Sequence, residues 1–159
     1  IVISQHIPAG FSESFAKRLN TLTELNCYEA KNGQQILPGH VYVSPGDKHL
    51  RVKKSGARYL IELDDGPEVN RHRPSVEVMF RSVAMNVGKN AIGIMLTGMG
   101  NDGAVGMKEM KDAGAVNLVQ DEETSVVWGM PGEAVKIGAH SKILPLGKIA
   151  GNILHILSK

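Results

Sequence analysis

Short β-rich apolar runs alternate along this chain with segments whose apolar residues recur at helical spacing, and that alternation limits the possible folds more than any other feature. Ile1 to Gln5 is an apolar run cut off by Pro8 and Gly10, after which Phe11, Phe15, Leu19 and Leu22 share one helical face. Val41 to Val43 reads as a strand, and the runs Leu50 to Lys53 and Arg58 to Leu63 flank Lys54-Ser-Gly-Ala57, which predicts an antiparallel hairpin. Ser75 to Val87 carries Val76, Met79, Phe80, Val83, Ala84 and Val87, a complete amphipathic stripe, with Gly88 placed to end the helix. Ala91 to Thr97 reads as a buried strand, Gly103 to Ala113 as a helix, Val116 to Val119 as a strand, and Lys142 to Leu146 as another ahead of a terminal helix. Parallel neighbours need a crossover connection, which the intervening helices supply. The expected fold class is therefore α/β: a doubly wound, mostly parallel sheet with an antiparallel hairpin and helices on both faces. In such a sheet, ligands gather at the carboxyl ends of the strands.

Composition narrows the function classes. At 159 residues the chain is one domain, and 42% hydrophobic with 21% charged residues excludes a disordered or collagen-like polypeptide. Lys and Arg number 18 against 16 Asp and Glu, interspersed, so no continuous basic surface for a nucleic-acid duplex is expected. The longest nearly apolar stretch, Ala91 to Leu96, is far short of the ~18 residues a spanning helix needs, so membrane insertion is not expected. Cys27 has no second cysteine to pair with, which fits a reducing cytosol. The chain opens on Ile1 inside an apolar run, with no initiator Met, and reads as a piece of a longer protein.

Three segments can carry chemistry. Gly98-Met-Gly-Asn-Asp-Gly103 follows a strand and opens a helix, and it matches the G-x-G-x-x-G dinucleotide fingerprint, with Asp121 about 20 residues on for a ribose. Asp102 speaks against this, because it places a carboxylate where a diphosphate would sit. Two other readings remain: Asp102 is a turn and N-cap residue for its own helix, or it orients a catalytic histidine while the exposed loop amides form an oxyanion site. His6 is the histidine available, since it also stands at a strand end; its plain alternative is a hydrogen-bonded turn residue. His40, His49, His140 and His155 read as structural or solvated, and no metal-ligand spacing connects them, so no metal is expected. The third segment, Asn70-Arg-His-Arg-Pro-Ser75, is either a solvated basic turn that starts the following helix or a clamp in which Arg71, His72 and Arg73 hold an acidic partner segment.

Gln5-His-Ile-Pro-Ala-Gly-Phe11, Pro45-Gly-Asp-Lys-His49, Asn70-Arg-His-Arg-Pro-Ser75, Leu96-Thr-Gly-Met-Gly-Asn-Asp-Gly103 and Gly129-Met-Pro131 together resemble the catalytic domain of the chemotaxis protein-glutamate methylesterases, the CheB family, over nearly the whole chain. The resemblance implies a Rossmann-like sheet and a cytoplasmic hydrolase that demethylates glutamyl methyl esters on chemoreceptors, releasing methanol, with glutamine deamidation in some members. It assigns His6 as the general base of a Ser-His-Asp triad, Asp102 as its orienting carboxylate and the Met99 N–H as an oxyanion donor, and it calls for no cofactor. It implies two partners, the methylated cytoplasmic domains of chemoreceptors and an upstream receiver domain. The chain departs from the family in one respect. The family's serine lies in a Gly-Ala-Ser-Thr-Gly-Gly-like turn ahead of the His6 segment, and neither Ser4, Ser12, Ser14 nor Ser44 stands in such a turn. Residues 1–159 are thus expected to be the catalytic domain without its first strand-helix unit, inactive alone. A dinucleotide-binding or regulatory module using Gly98 to Gly103 is the alternative, and a purely structural interaction domain a third.

Overall fold

The structure is a computed structural model that describes all 159 residues. In chain order the elements are β1 (Val2–Ile3), α1 (Phe11–Leu22), β2 (Asn26–Glu29), β3 (His40–Val43), β4 (His49–Ser55), β5 (Arg58–Asp64), α2 (Val76–Asn86), β6 (Ile92–Met95), α3 (Ala104–Asp112), β7 (Val116–Gln120), α4 (Met130–Lys136), β8 (Lys142–Leu144) and α5 (Leu146–Leu157). The α/β alternation is as expected, with β4 and β5 as the single antiparallel pair, joined by a tight turn at Gly56, whose φ of 60° suits glycine. The parallel strands hydrogen-bond as two three-stranded sheets, β1-β3-β2 and β6-β7-β8, rather than as one. Each of β1 and β6 therefore keeps one edge without a paired strand.

The main core lies between the second sheet, the hairpin and helices α2 and α3, around Leu50, Ile61, Phe80, Met95, Met107, Met110 and Val119. Met107 is fully buried, and truncating such a residue to Ala costs about 2–5 kcal/mol. Helix α2 buries Val76, Val78, Met79 and Phe80, close to the stripe its sequence predicts. It also covers the free edge of β4: Ser82 Oγ accepts the Val52 N–H at 2.8 Å and Asn86 Nδ2 donates to the Val52 carbonyl at 3.0 Å. An edge covered in this way cannot recruit a foreign strand.

Helix α1 forms as expected but buries a different face. Phe11 and Leu22 are exposed, and the inward positions are Ser12 and Ala16, with Phe15 and Leu19 half-buried beside Cys27, Val41 and Val43. Ser12 tolerates burial because its hydroxyl donates to Glu29 Oε2 and accepts the Gly46 N–H. Two elements carry too weak a local pattern to be predicted, β2 and α4.

Candidate active site

His6 leaves the carboxyl end of β1 and Asp102 lies beyond the carboxyl end of β6, 96 positions away, and the fold brings them into contact: His6 Nε2 lies 2.6 Å from Asp102 Oδ2. Asp102 is 1% exposed, whereas the His6 side chain retains 21% of its surface. Burial alone would push the Asp102 pKa up. Hydrogen bonds from His6, Ser75 Oγ, Asn70 Nδ2 and the Val76 N–H outweigh it and hold the carboxyl at about 2, so Asp102 is ionised at neutral pH. A carboxylate there accepts only, so His6 carries its proton on Nε2 and leaves Nδ1, which has no partner within the chain, as a proton acceptor.

The reading of Asp102 as the cap of its own helix is corrected by the geometry. The N-cap of α3 is Gly103, at φ 91°, and it makes no side-chain cap bond. Asp102 instead accepts the N–H groups of Val76 at 2.8 Å and Glu77 at 3.2 Å, the first two residues of α2. Ser75, which the sequence offers as a start signal, donates its hydroxyl to Asp102 Oδ1 at 2.7 Å rather than capping α2. The exchange is reciprocal, because Glu77, in the first turn of α2, accepts the Gly106 N–H in the first turn of α3. The two helix N-termini are thus capped crosswise, each by a carboxyl group of the other's segment, which gives the Val76, Glu77 and Gly106 N–H groups an acceptor and places the Asp102 charge at the positive dipole end of α2.

The Asn70–Ser75 segment wraps the pair. Val69 and His72 exchange both backbone hydrogen bonds at 3.0 Å, closing a two-residue turn in which Asn70 and Arg71 hold φ values of 51° and 65°. That turn aims Asn70 Nδ2 at Asp102 Oδ1 and lays the His72 ring flat on His6, with centroids 3.5 Å apart and planes within 5°. Beyond it, buried His49 ties Ser75 down, accepting the Ser75 N–H on Nδ1 and donating from Nε2 to the Pro67 carbonyl. Asn70, Ser75 and His49 are the site residues that sequence reasoning missed. The first and last residues of the Asn70–Ser75 motif were the available signal, but only tertiary contact reveals what they hold.

Of the basic residues expected to grip a partner, Arg71 is exposed and unpaired, whereas Arg73 is engaged within the chain, with Asp47 and the carbonyls of Asp65 and Gly66. Together with His6, His72, Glu68 and Pro8, these arginines line an open cleft of about 280 Å³. The loop Gly98–Gly103 carries Asp102 and so adjoins the pair. The Gly98 carbonyl accepts the N–H groups of Gly129 and Met130, and a Cβ on Gly129 would come within 2.7 Å of the Gly98 oxygen, so close packing against the start of α4 fixes the loop. The Met99 side chain is exposed and its N–H has no acceptor within the chain.

A dinucleotide fits this loop poorly. The ionised Asp102 stands where the diphosphate would dock, and Asp121 is engaged by Thr124 in the turn after β7. None of the available serines bonds to His6: Ser12 is committed to Glu29 and Gly46, Ser44 to the Lys48 carbonyl, and Ser75 to Asp102. No group of three or more His, Cys, Asp or Glu side chains is placed to hold a metal ion, and no helix is long and apolar enough to cross a membrane.

Comparison with known proteins agrees with the geometry. The chain is 58% identical over its full length to the protein-glutamate methylesterase/protein-glutamine glutaminase of Hydrogenovibrio crunogenus, spanning 42% of that protein. It is 54% identical over 99% of its length to the protein of the same name from Methylobacillus flagellatus, spanning 44% of it. Its fold superposes on the crystal structure of the Thermotoga maritima CheB methylesterase catalytic domain with a TM-score of 0.95 at 36% identity, covering 98% of this chain and 82% of that one. The family model described as CheB methylesterase matches residues 1–153, and the chain accordingly belongs to the CheB methylesterase family.

Proposed function

We propose that this chain is the catalytic domain of a cytoplasmic protein-glutamate methylesterase, which hydrolyses glutamyl methyl esters on chemoreceptor cytoplasmic domains and deamidates receptor glutamines. The observation that carries the proposal is the His6–Asp102 bond, with Asp102 ionised, the histidine's second nitrogen without a partner in the chain, and His6 lining the cleft. The nucleophile is a serine supplied by a strand-helix unit ahead of Ile1. The unpaired edges of β1 and β6 support this placement, because the loops that leave those two strands meet at the His6–Asp102 bond.

In the reaction, His6 Nδ1 takes the serine proton as the hydroxyl oxygen attacks the ester carbonyl carbon. Asp102 stabilises the imidazolium that forms and keeps it in the correct orientation. The carbonyl oxygen becomes an oxyanion facing the Met99 N–H, a contact of the kind whose loss typically costs ~100- to 1000-fold in rate. Collapse of the tetrahedral intermediate breaks the bond to the methoxy oxygen, His6 returns its proton to that oxygen, and methanol leaves. Water, deprotonated by His6, then hydrolyses the acyl-serine and frees the glutamate. Arg71, with Arg73 holding the loop's shape through Asp47, orients the acidic receptor segment. An upstream receiver domain in the parent protein governs access.

The test is methanol release from a methylated receptor fragment by the parent protein, beside residues 1–159 under identical conditions. Release by the parent alone supports the reading and places the serine upstream. Release by both means that a serine within these residues is the nucleophile, and release by neither overturns the esterase.

A further inference from the structure

A hydrogen bond fixes where an imidazole nitrogen points, but it leaves the ring free to swing about the bond axis. The bond from His6 Nε2 to Asp102 therefore does not by itself aim Nδ1. The second constraint on the ring is the face of His72, 3.5 Å away and within 5° of parallel. That face is held by the backbone: His72 exchanges two hydrogen bonds with Val69 across a turn whose central residues, Asn70 and Arg71, both occupy the left-handed region. The same turn delivers Asn70 to Asp102, so one rigid segment positions both members of the pair. We propose that His72 is a positioning residue whose flat ring removes the remaining rotation of His6 and so keeps Nδ1 directed at the nucleophile.

The charges around His72 suit that role. Partial burial is the main cause that holds its pKa below the ordinary histidine value, and the adjacent His6 acts in the same direction, while Asp102 and Glu68 oppose. A neutral plate beside His6 lets the catalytic ring take up its proton without a second cation against its face. The role is distinct from gripping substrate, and it makes the aromatic surface the functional property rather than the nitrogens.

This inference rests on the esterase reading for its kinetic arm but not for its structural arm. In the parent protein, His72→Ala lowers kcat by about 10- to 100-fold, the scale of a slightly misaimed reacting group, with KM little changed, and His72→Phe recovers most of that loss. The upfield ring-current displacement of the His6 ring protons in the NMR spectrum is lost in His72→Ala and kept in His72→Phe. Should the alanine variant fail to fold, His72→Gln replaces it, since it too lacks an aromatic face. A rise in KM in both variants at unchanged kcat would overturn the proposal in favour of substrate contact, and unchanged His6 ring shifts in the alanine or glutamine variant would overturn it on structure alone. Should even the wild-type parent release no methanol, the esterase reading fails, and the ring shifts still decide whether His72 plates His6.

Discussion

Replacing Asp102 with Asn preserves the side chain's shape and removes its charge, and the surrounding donors decide which way the new amide turns. Oδ1 faces Asn70 Nδ2, Ser75 Oγ and the Glu77 N–H, and Oδ2 faces His6 Nε2 and the Val76 N–H. An amide must turn its NH₂ toward one of these sets. The Oδ2 side contains the group best able to adapt, since His6 can release its Nε2 proton and become an acceptor there. That adaptation moves the imidazole proton to Nδ1, the atom that has to accept from the nucleophile. The expected loss in kcat is ~10⁴-fold, the size seen when an orienting carboxylate becomes an amide and locks the wrong tautomer. The effect on stability is one of linkage. The folded carboxyl titrates at about 2 against an unfolded value of 3.8, so its ionised form contributes roughly 2 kcal/mol at neutral pH. Because the folded pKa is depressed, this contribution is complete above the unfolded value and disappears as the pH falls toward the folded one. About half of it should remain at pH 3 and little at pH 2. Urea unfolding of the wild-type chain and Asp102→Asn, compared from pH 7 down to pH 2, should therefore show a stability gap that narrows below pH 4. A gap that stays constant over that range would refute the assignment of Asp102 as a buried, donor-stabilised anion.

Three further perturbations test other parts of the site. Gly129→Ala places a methyl group against backbone atoms of Gly98 and Gly100; on the proposed oxyanion role of the Met99 N–H it should lower kcat of the parent protein by ~100-fold or more while KM changes little, and unchanged kcat would separate the loop from catalysis. Ser75→Ala removes a buried hydrogen bond to a charged group, so chemical denaturation should show a loss of about 1.5–3 kcal/mol at neutral pH, and an unchanged stability would contradict the bond. Glu77→Gln keeps an oxygen for the Gly106 N–H. Burial holds the Glu77 pKa above its ordinary value, which makes the charged form unfavourable as pH rises through the normal glutamate range, so the glutamine variant should melt at or above the wild-type temperature at pH 7, and a clear fall would contradict this.

How much of this could be read from the sequence depended on whether the signal was local. His6 and Asp102 were legible as candidates because each follows an apolar strand and stands among turn-forming glycine or proline, so the α/β rule allowed them to meet in one crevice, beside the plainer turn and cap readings. The helix over Val76–Asn86 was legible from a full stripe. Strand β2 was not, because Asn26-Cys-Tyr-Glu29 buries Cys27 alone among its four residues and carries no apolar alternation. Helix α4 was not, because seven residues that include Pro131 and Gly132 have little helical propensity and take their shape from packing against Gly98 and Trp128. The inward face of α1 was misjudged because Ser12 finds its partners on β2 and in the Gly46 turn, contacts no helical periodicity encodes. The alternative reading of Asp102 as a cap of its own helix fails for the same reason: sequence proximity pointed to α3, and the fold gave the carboxylate to α2.

The crosswise capping of α2 and α3 makes the Asp102 carboxylate a sensor of its own domain's assembly. Asp102 is ringed by its donors only while the first turn of α2 is formed and docked, and that turn is held in part by the bond Glu77 makes with the first turn of α3. A chain that has collapsed without docking these two helices has no oriented histidine, whatever serine comes near it. An oriented His6 is thereby tied to completion of the tertiary structure, and it is lost wherever the first turns of α2 and α3 open locally.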